Sequence, residues 1–187
     1  MNYASQVVGV SIAKGPTIML ASGRWFDLLD PHGSDFAIED VAHGLSLVCR
    51  YAGQCHSYFS VAEHSLLVSS VAETFKYEAL LHDAAEAFIG DITRPLKQLL
   101  PEYKRIEALV EDAVIERFEM NPDYRSIVKA ADLRVLAAEQ AQIMPRGCAD
   151  WAAEAGIEPA DVVVRSLSPS EAEREFLDQY RLLKSLR

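Results

Sequence analysis

The chain has 187 residues, half of them hydrophobic and a quarter charged, which suits one domain with a real core. Its net charge of −10 argues against a protein whose main task is gripping nucleic acid through phosphates, since such surfaces are basic. A small phosphorylated substrate remains compatible, because a few local cations can make one positive pocket. Cys49, Cys55 and Cys148 show no paired metal-ligand spacing, and an odd, sparse count fits a reducing compartment. Cys49 follows the apolar run Leu45-Ser46-Leu47-Val48 and reads as a small core hydrophobe. The stretch Met1-Asn2-Tyr3-Ala4-Ser5 lacks a basic start before an apolar core, and no segment approaches the roughly 20 apolar residues of a membrane span. A cytoplasmic protein without membrane partners is expected.

In chain order, two short apolar runs around Ala21-Ser22-Gly23-Arg24 predict a β-hairpin over about 17–29. Ile38, Val41, Ala42, Leu45 and Val48 share one helical face, which predicts a helix over 38–53. Ser60 followed by Glu63 is a capping-box pattern and starts the next helix at Val61. A third helix is expected over about 75–88, closed by Gly90. Pro101 opens a charged amphipathic helix to about residue 118, and a further helix spans about 124–144. Ser168-Pro169-Ser170-Glu171 is a second capped start, for a last helix over about 169–186. The fold expected is mainly α, one domain over 1–187: hairpin, helical core over about 38–144, carboxy-terminal helix.

The run Leu80-Leu81-His82-Asp83-Ala84-Ala85-Glu86-Ala87 sets His82 and Asp83, both metal-ligand types, inside an apolar helical pattern. A desolvated carboxylate costs several kcal/mol unless compensated, and a divalent cation compensates it well. Val61-Ala62-Glu63-His64-Ser65 and Lys129-Ala130-Ala131-Asp132-Leu133 supply His64 and Asp132 from two other amphipathic helices. Two imidazoles and two carboxylates form a mixed nitrogen and oxygen set for one divalent ion: Mn, Co, Zn or Fe, with Mg admitted. Glu86 follows His82 by four residues and Asp83 by three, so it shares their face and can handle a proton. Asp91, just past Gly90, can reach over the pocket. Arg94 and Lys97 flank Pro95 and can answer the outer phosphates of a longer substrate.

These motifs, together with Arg50-Tyr51 and Gly90-Asp91, resemble those of the HD-domain metal-dependent phosphohydrolases, closest to bacterial 5'-deoxynucleotidases and phage dATP triphosphohydrolases. The resemblance runs from about residue 50 to 132. It implies an HD-type helical bundle, metal ligation by His64, His82, Asp83 and Asp132 with a preference for transition metals, and catalytic roles for Glu86 and Asp91. It also implies that Arg50 binds phosphate, and it places Tyr51 where the deoxynucleotidases carry a Trp beside the sugar. Hydrolysis of deoxynucleoside monophosphates is the activity it implies first, with a dNTP triphosphohydrolase as the alternative and a non-catalytic nucleotide-sensing module as a third reading. A homo-oligomer is expected.

Of the remaining histidines, His43 reads as a hydrogen-bonded structural residue, while His56 and His32 read as exposed loop residues. The segment Arg24-Trp25-Phe26-Asp27-Leu28-Leu29 reads as a packing or subunit-contact element. The run Glu102-Tyr103-Lys104-Arg105-Ile106-Glu107 reads as a solvated helix face.

Overall fold

The computed structural model describes residues 15–187, so the amino-terminal stretch read as lacking a leader lies outside the described residues. The chain is mainly helical. Strands β1 (Thr17–Met19) and β2 (Trp25–Asp27) form the expected hairpin, antiparallel with Ile18 opposite Phe26. Phe26 is its anchor: fully buried, it stacks on Phe88 at 4.0 Å and meets Phe36 edge-on at 5.4 Å. The hairpin segment therefore acts in packing, tying the sheet to the helix that follows the metal-type residues.

Helix α1 (Ile38–Leu47) stops earlier than its periodicity predicts. Val48 turns extended, and the chain forms a short bridge in which Cys49 pairs with Ser60. Arg50 N donates to the Phe59 carbonyl at 2.9 Å and Val61 N to the Val48 carbonyl at 3.0 Å. Cross-strand pairing thus wins over helix continuation, and it leaves Cys49 half-buried rather than in the core. Gly44 allows close packing of α1, because a Cβ there would stand 2.8 Å from the Ala87 carbonyl oxygen.

Helix α2 (Val61–Val71) starts where expected and packs against α1 and against the helices over 76–81, 125–143 and 169–185. Its first five residues, Val61 to Ser65, are all buried, so their polar groups must be satisfied inside the protein. Ser60 Oγ accepts from Glu63 N at 3.1 Å, which is one half of the expected box. The Glu63 carboxylate does not complete it. Oε1 accepts from Arg165 N at 2.7 Å and Ser166 N at 3.2 Å, and Oε2 accepts from Leu167 N at 2.8 Å. A carboxylate that satisfies buried backbone donors elsewhere is stabilised more than one exposed at a cap.

The expected helix over 75–88 is two helices, α3 (Lys76–Leu81) and α4 (Glu86–Ile89). Residues 82–85 between them are tightened by bonds three residues apart: Ala84 N to Leu81 O at 3.0 Å, Glu86 N to Asp83 O at 2.9 Å and Ala87 N to Ala84 O at 3.2 Å. Gly90 closes α4 at φ 76°, as the sequence leads one to expect. Helix α5 (Arg94–Leu99) lies beyond the elements read from the sequence, with Pro95 in its first turn. Helices α6 (Pro101–Arg117) and α7 (Arg125–Ile143) match expectation, and the short α8 (Asp150–Glu154) is new. Helix α9 (Pro169–Ser185) carries its full capping box between Ser168 and Glu171 and packs across α1, α2 and α3. No helix among the described residues is long and apolar enough to cross a membrane.

Candidate metal centre and its cleft

His64 projects from α2 and is fully buried. Its Nε2 lies 3.2 Å from Asp132 Oδ1 of α7 and 3.5 Å from Asp83 Oδ2, while its Nδ1 lies 3.0 Å from Glu139 Oε1. His82 sits at the start of the tightened turn, with Nδ1 2.8 Å from the Ala79 carbonyl. That contact orients the ring so that Nε2, the nitrogen a metal would use, lies 3.3 Å from Asp83 Oδ2. The structure thus brings His64, His82, Asp83 and Asp132 together from three parts of the chain.

The donors fit a divalent ion. Nε2 of both histidines is buried without a directed hydrogen bond, an expensive arrangement that a bound ion would relieve. Ligands about 2.1 Å from an ion lie about 3.0–3.4 Å apart in octahedral or tetrahedral sets. The separations of 3.2 and 3.3 Å are edges of that size, and the third, 3.5 Å, is just longer. His64, His82 and Asp83 each offer an atom within 4.8 Å of the others, so the cluster could hold a metal ion, and Asp132 adjoins it through His64. Burial opposes ionisation of Asp83, yet His82, His64 and Arg50 outweigh it and hold the pKa down. Asp132 is likewise depressed against burial, by His64, His82 and Lys129, whose Nζ is 2.6 Å from Asp132 Oδ2.

Arg50 and Tyr51 come from a strained turn. Tyr51 (φ 57°) and Ala52 (φ 51°) are both left-handed, at about 1–2 kcal/mol each for non-glycine residues. The turn places the buried Arg50 guanidinium against the cluster: Nη1 is 3.5 Å from Asp83 Oδ2 and Nη2 is 3.3 Å from Glu139 Oε1. The Tyr51 hydroxyl is buried without a partner, and burial pushes its pKa up.

Glu139 is the residue that sequence reasoning missed. Its oxygen touches both His64 and Arg50, and it has no solvent exposure. Burial raises its pKa, but Arg50 and His64 prevail and keep it ionised. A usable signal existed, since Glu139 follows Asp132 by seven residues and so returns to nearly the same helical face.

Glu86 is buried, with Oε2 unpartnered and Oε1 3.7 Å from Lys97 Nζ. Burial first, then the charges of Asp83 and Asp91, push its pKa well above the usual carboxylate range. Lys97 Nζ is held 2.6 Å from Glu107 Oε1, so this end of the charged run faces inward instead of belonging to a solvated face. Tyr103, in the same run, donates its hydroxyl to the Gly90 carbonyl at 3.1 Å. Asp91, Arg94 and Lys97 line one wall of a cleft of about 570 Å³ that also reaches Arg50, Asp83 and Asp132. Leu133, Leu136 and Gln140 of α7 form the opposite wall, with Trp151 of α8 donating to Gln140 Oε1 at 2.7 Å. A second opening, about 300 Å³, reaches His82, Asp83 and Asp132 past Arg125 and Lys129.

The other histidines lie outside this cleft. His43 Nδ1 contacts Glu173 at 3.3 Å, and His32 Nδ1 contacts Glu116 at 2.6 Å. His56 is exposed in its loop.

The fold and the cluster define a mainly helical protein with a histidine–aspartate site able to hold a metal ion. Over 168 residues the chain is 37% identical to the uncharacterized protein YfdR of Escherichia coli (strain K12), covering 89% of this chain and 94% of that one. Over 188 residues it is 36% identical to the uncharacterized protein RCAP_rcc00048 of Rhodobacter capsulatus, covering 89% and 95%. The chain belongs to the family of these two proteins. A shorter match, 34% identical over 92 residues, links it to a 5'-deoxynucleotidase, ECA3034, of Pectobacterium atrosepticum, covering 37% of this chain and 46% of that one. No family model matches the chain.

Proposed function

We propose that this chain is an HD-type, metal-dependent phosphohydrolase that releases phosphate from deoxynucleoside 5'-monophosphates. The observation that carries the reading is the convergence of His64, His82, Asp83 and Asp132 beside a buried Arg50 and a Glu86 whose pKa is raised. The partial relatives named 5'-deoxynucleotidase support the substrate class.

His64, His82, Asp83 and Asp132 would hold one divalent ion, Mn, Co, Zn or Fe, with Mg admitted. When bound, that ion supplies Lewis acidity and a water of lowered pKa. Arg50 binds and orients the phosphate next to the sugar, a role supported by its guanidinium lying 3.5 Å from Asp83. Glu86 carries a proton at its buried carboxyl and delivers it to the leaving 5' oxygen. Lys97 stands beside Glu86 and resets its charge balance through the cycle. Asp91 lies at the sugar end, and Tyr51, Leu133 and Leu136 exclude water around the nucleoside.

One observation favours a dNTP triphosphohydrolase as the second reading. The 5' oxygen and the outer phosphates leave the first phosphorus in different directions, and the cluster is open on two sides, with Arg125 and Lys129 on the second and Arg94 on the cleft rim. Metal-loaded protein should be assayed against deoxy- and ribonucleoside mono- and triphosphates, with product identification. Orthophosphate from monophosphates is expected. Inorganic triphosphate from dNTPs selects the second reading, and tight binding without hydrolysis indicates a sensor.

A further inference from the structure

Two of the three cysteines bracket the Arg50–Tyr51 turn. Cys49 lies in the bridge to Ser60, immediately before Arg50, and Cys55 closes the turn. Their sulfurs are 3.8 Å apart, and Cys55 Sγ also lies 3.8 Å from the Arg50 carbonyl oxygen. Both are half-buried, so a small oxidant can reach them. The flanks of the turn are fixed: Arg50 N donates to Phe59 O at 2.9 Å, and His56 N donates to Ile143 O at 2.8 Å. Between these anchors Tyr51, Ala52 and Gly53 are all left-handed. With these flanks held, whatever part of a change in sulfur separation side-chain rotation does not take up falls on the turn that carries Arg50.

We propose that Cys49 and Cys55 form a reversible dithiol–disulfide pair, oxidised by a peroxide, that displaces Arg50 and weakens its hold on phosphate. One thiolate attacks a peroxide oxygen, the O–O bond breaks, and a sulfenic acid and hydroxide form. The second thiolate then attacks that sulfur: the S–S bond forms, the S–O bond breaks and hydroxide leaves. The two thiol protons neutralise the two hydroxides. Two thiols lose two electrons, and the peroxide is reduced to two waters. Burial, with the adjacent Cys49 thiol, pushes the Cys55 pKa up, so the thiolate is the minor form at neutral pH and the reaction needs excess oxidant.

A disulfide is about 2.05 Å long, so the sulfurs must close by about 1.8 Å. The Arg50 guanidinium sits 3.5 Å from Asp83 and 3.3 Å from Glu139, and displacements of about 1 Å at such positions are enough to lose alignment. The effect on phosphate rests on the role proposed above for Arg50. The pairing of the sulfurs does not.

The full chain should be treated with excess hydrogen peroxide, mapped by non-reducing peptide mass spectrometry and titrated with inorganic phosphate. The expected result is a Cys49–Cys55 peptide pair two hydrogens lighter, phosphate affinity lower by roughly tenfold, and recovery with a thiol reductant. Cys148→Ser should respond in the same way, and Cys55→Ser should bind phosphate without responding to peroxide. Absence of the pair, or pairing through Cys148 instead, overturns the inference. So does a Cys49–Cys55 disulfide that leaves phosphate affinity unchanged. Failure of the reduced chain to bind phosphate overturns the switch and counts separately against Arg50 as the phosphate ligand, while the peptide map still reports the pair.

Discussion

Glu139 Oε1 stands 3.0 Å from His64 Nδ1, on the side of the ring opposite the cluster of carboxylates. A carboxylate behind a metal-type histidine fixes which nitrogen carries the proton and raises the basicity of the other. The same oxygen is 3.3 Å from Arg50, so one buried charge positions both a candidate ligand and a candidate phosphate clamp.

Glu139→Gln keeps the volume and removes the charge. Metal affinity is expected to fall by roughly 10–100-fold, with KM for a phosphorylated substrate rising because Arg50 loses a partner. Glu139→Ala leaves Arg50 buried and poorly paired and should cost about 3–5 kcal/mol of stability. Metal titration and denaturant unfolding of the two variants check this.

Asp83 and Glu86 should separate binding from proton transfer. Asp83→Ala is expected to empty the cluster of metal and abolish turnover. Glu86→Gln leaves the four candidate ligands in place, so metal content should persist while kcat drops by roughly 10²-fold or more. Elemental analysis beside steady-state kinetics reads both, and unchanged kcat in Glu86→Gln would remove Glu86 from the chemistry.

Metal uptake should release a proton. Burial and the Arg50 charge oppose protonation of His64, but Glu139 and Asp132 outweigh them and push its pKa up to about 9 in the metal-free protein. Between about pH 7 and 9 affinity should rise about tenfold per pH unit, because each unit removes about 1.4 kcal/mol of competition from the proton. The folded pKa is raised, so the stability this proton gives the metal-free protein is complete below about pH 6.5 and disappears as pH rises through about 9. Calorimetry in two buffers of different ionisation enthalpy counts the released proton.

Gly44→Ala tests the close approach of α1 and α4. A helical Gly→Ala change ordinarily stabilises by about 1 kcal/mol. Here the new Cβ would meet the Ala87 backbone carbonyl at 2.8 Å, which cannot rotate away. Overpacking should win, with a net loss of about 1–3 kcal/mol read by thermal unfolding. A stabilised variant would show that α1 can slide.

The parts of this fold legible in the sequence are those in which local chemistry and tertiary packing agree. Ser168 and Glu171 form their capping box, and Val61 starts its helix where Ser60 says it should. The break at residues 82–85 was hidden because its apolar pattern continues unbroken from α3 into α4. Val48 and Cys49 fit a helix by periodicity, yet pairing with the chain near Ser60 draws them out of it. His64, His82, Asp83 and Asp132 were visible because ligand types on apolar helices demand compensation. Glu107 and Glu139 were not, since glutamates on amphipathic helices look like solvated faces until long-range partners such as Lys97 and Arg50 are known, and Glu63 reads as a cap until its bonds to the backbone of Arg165, Ser166 and Leu167 are seen.

The tightened turn after α3 fixes a length more strictly than a composition. At about three residues per turn, Asp83 and Glu86 eclipse each other, and one added residue would rotate the second by about 120°. Ala84 and Ala85 can tolerate exchange for other small residues, but an insertion or deletion between Leu81 and Glu86 would aim the buried acid away from the cleft while leaving every side chain of the cluster in the sequence. Variation in this segment should therefore appear as substitutions within a constant spacing of three between Asp83 and Glu86.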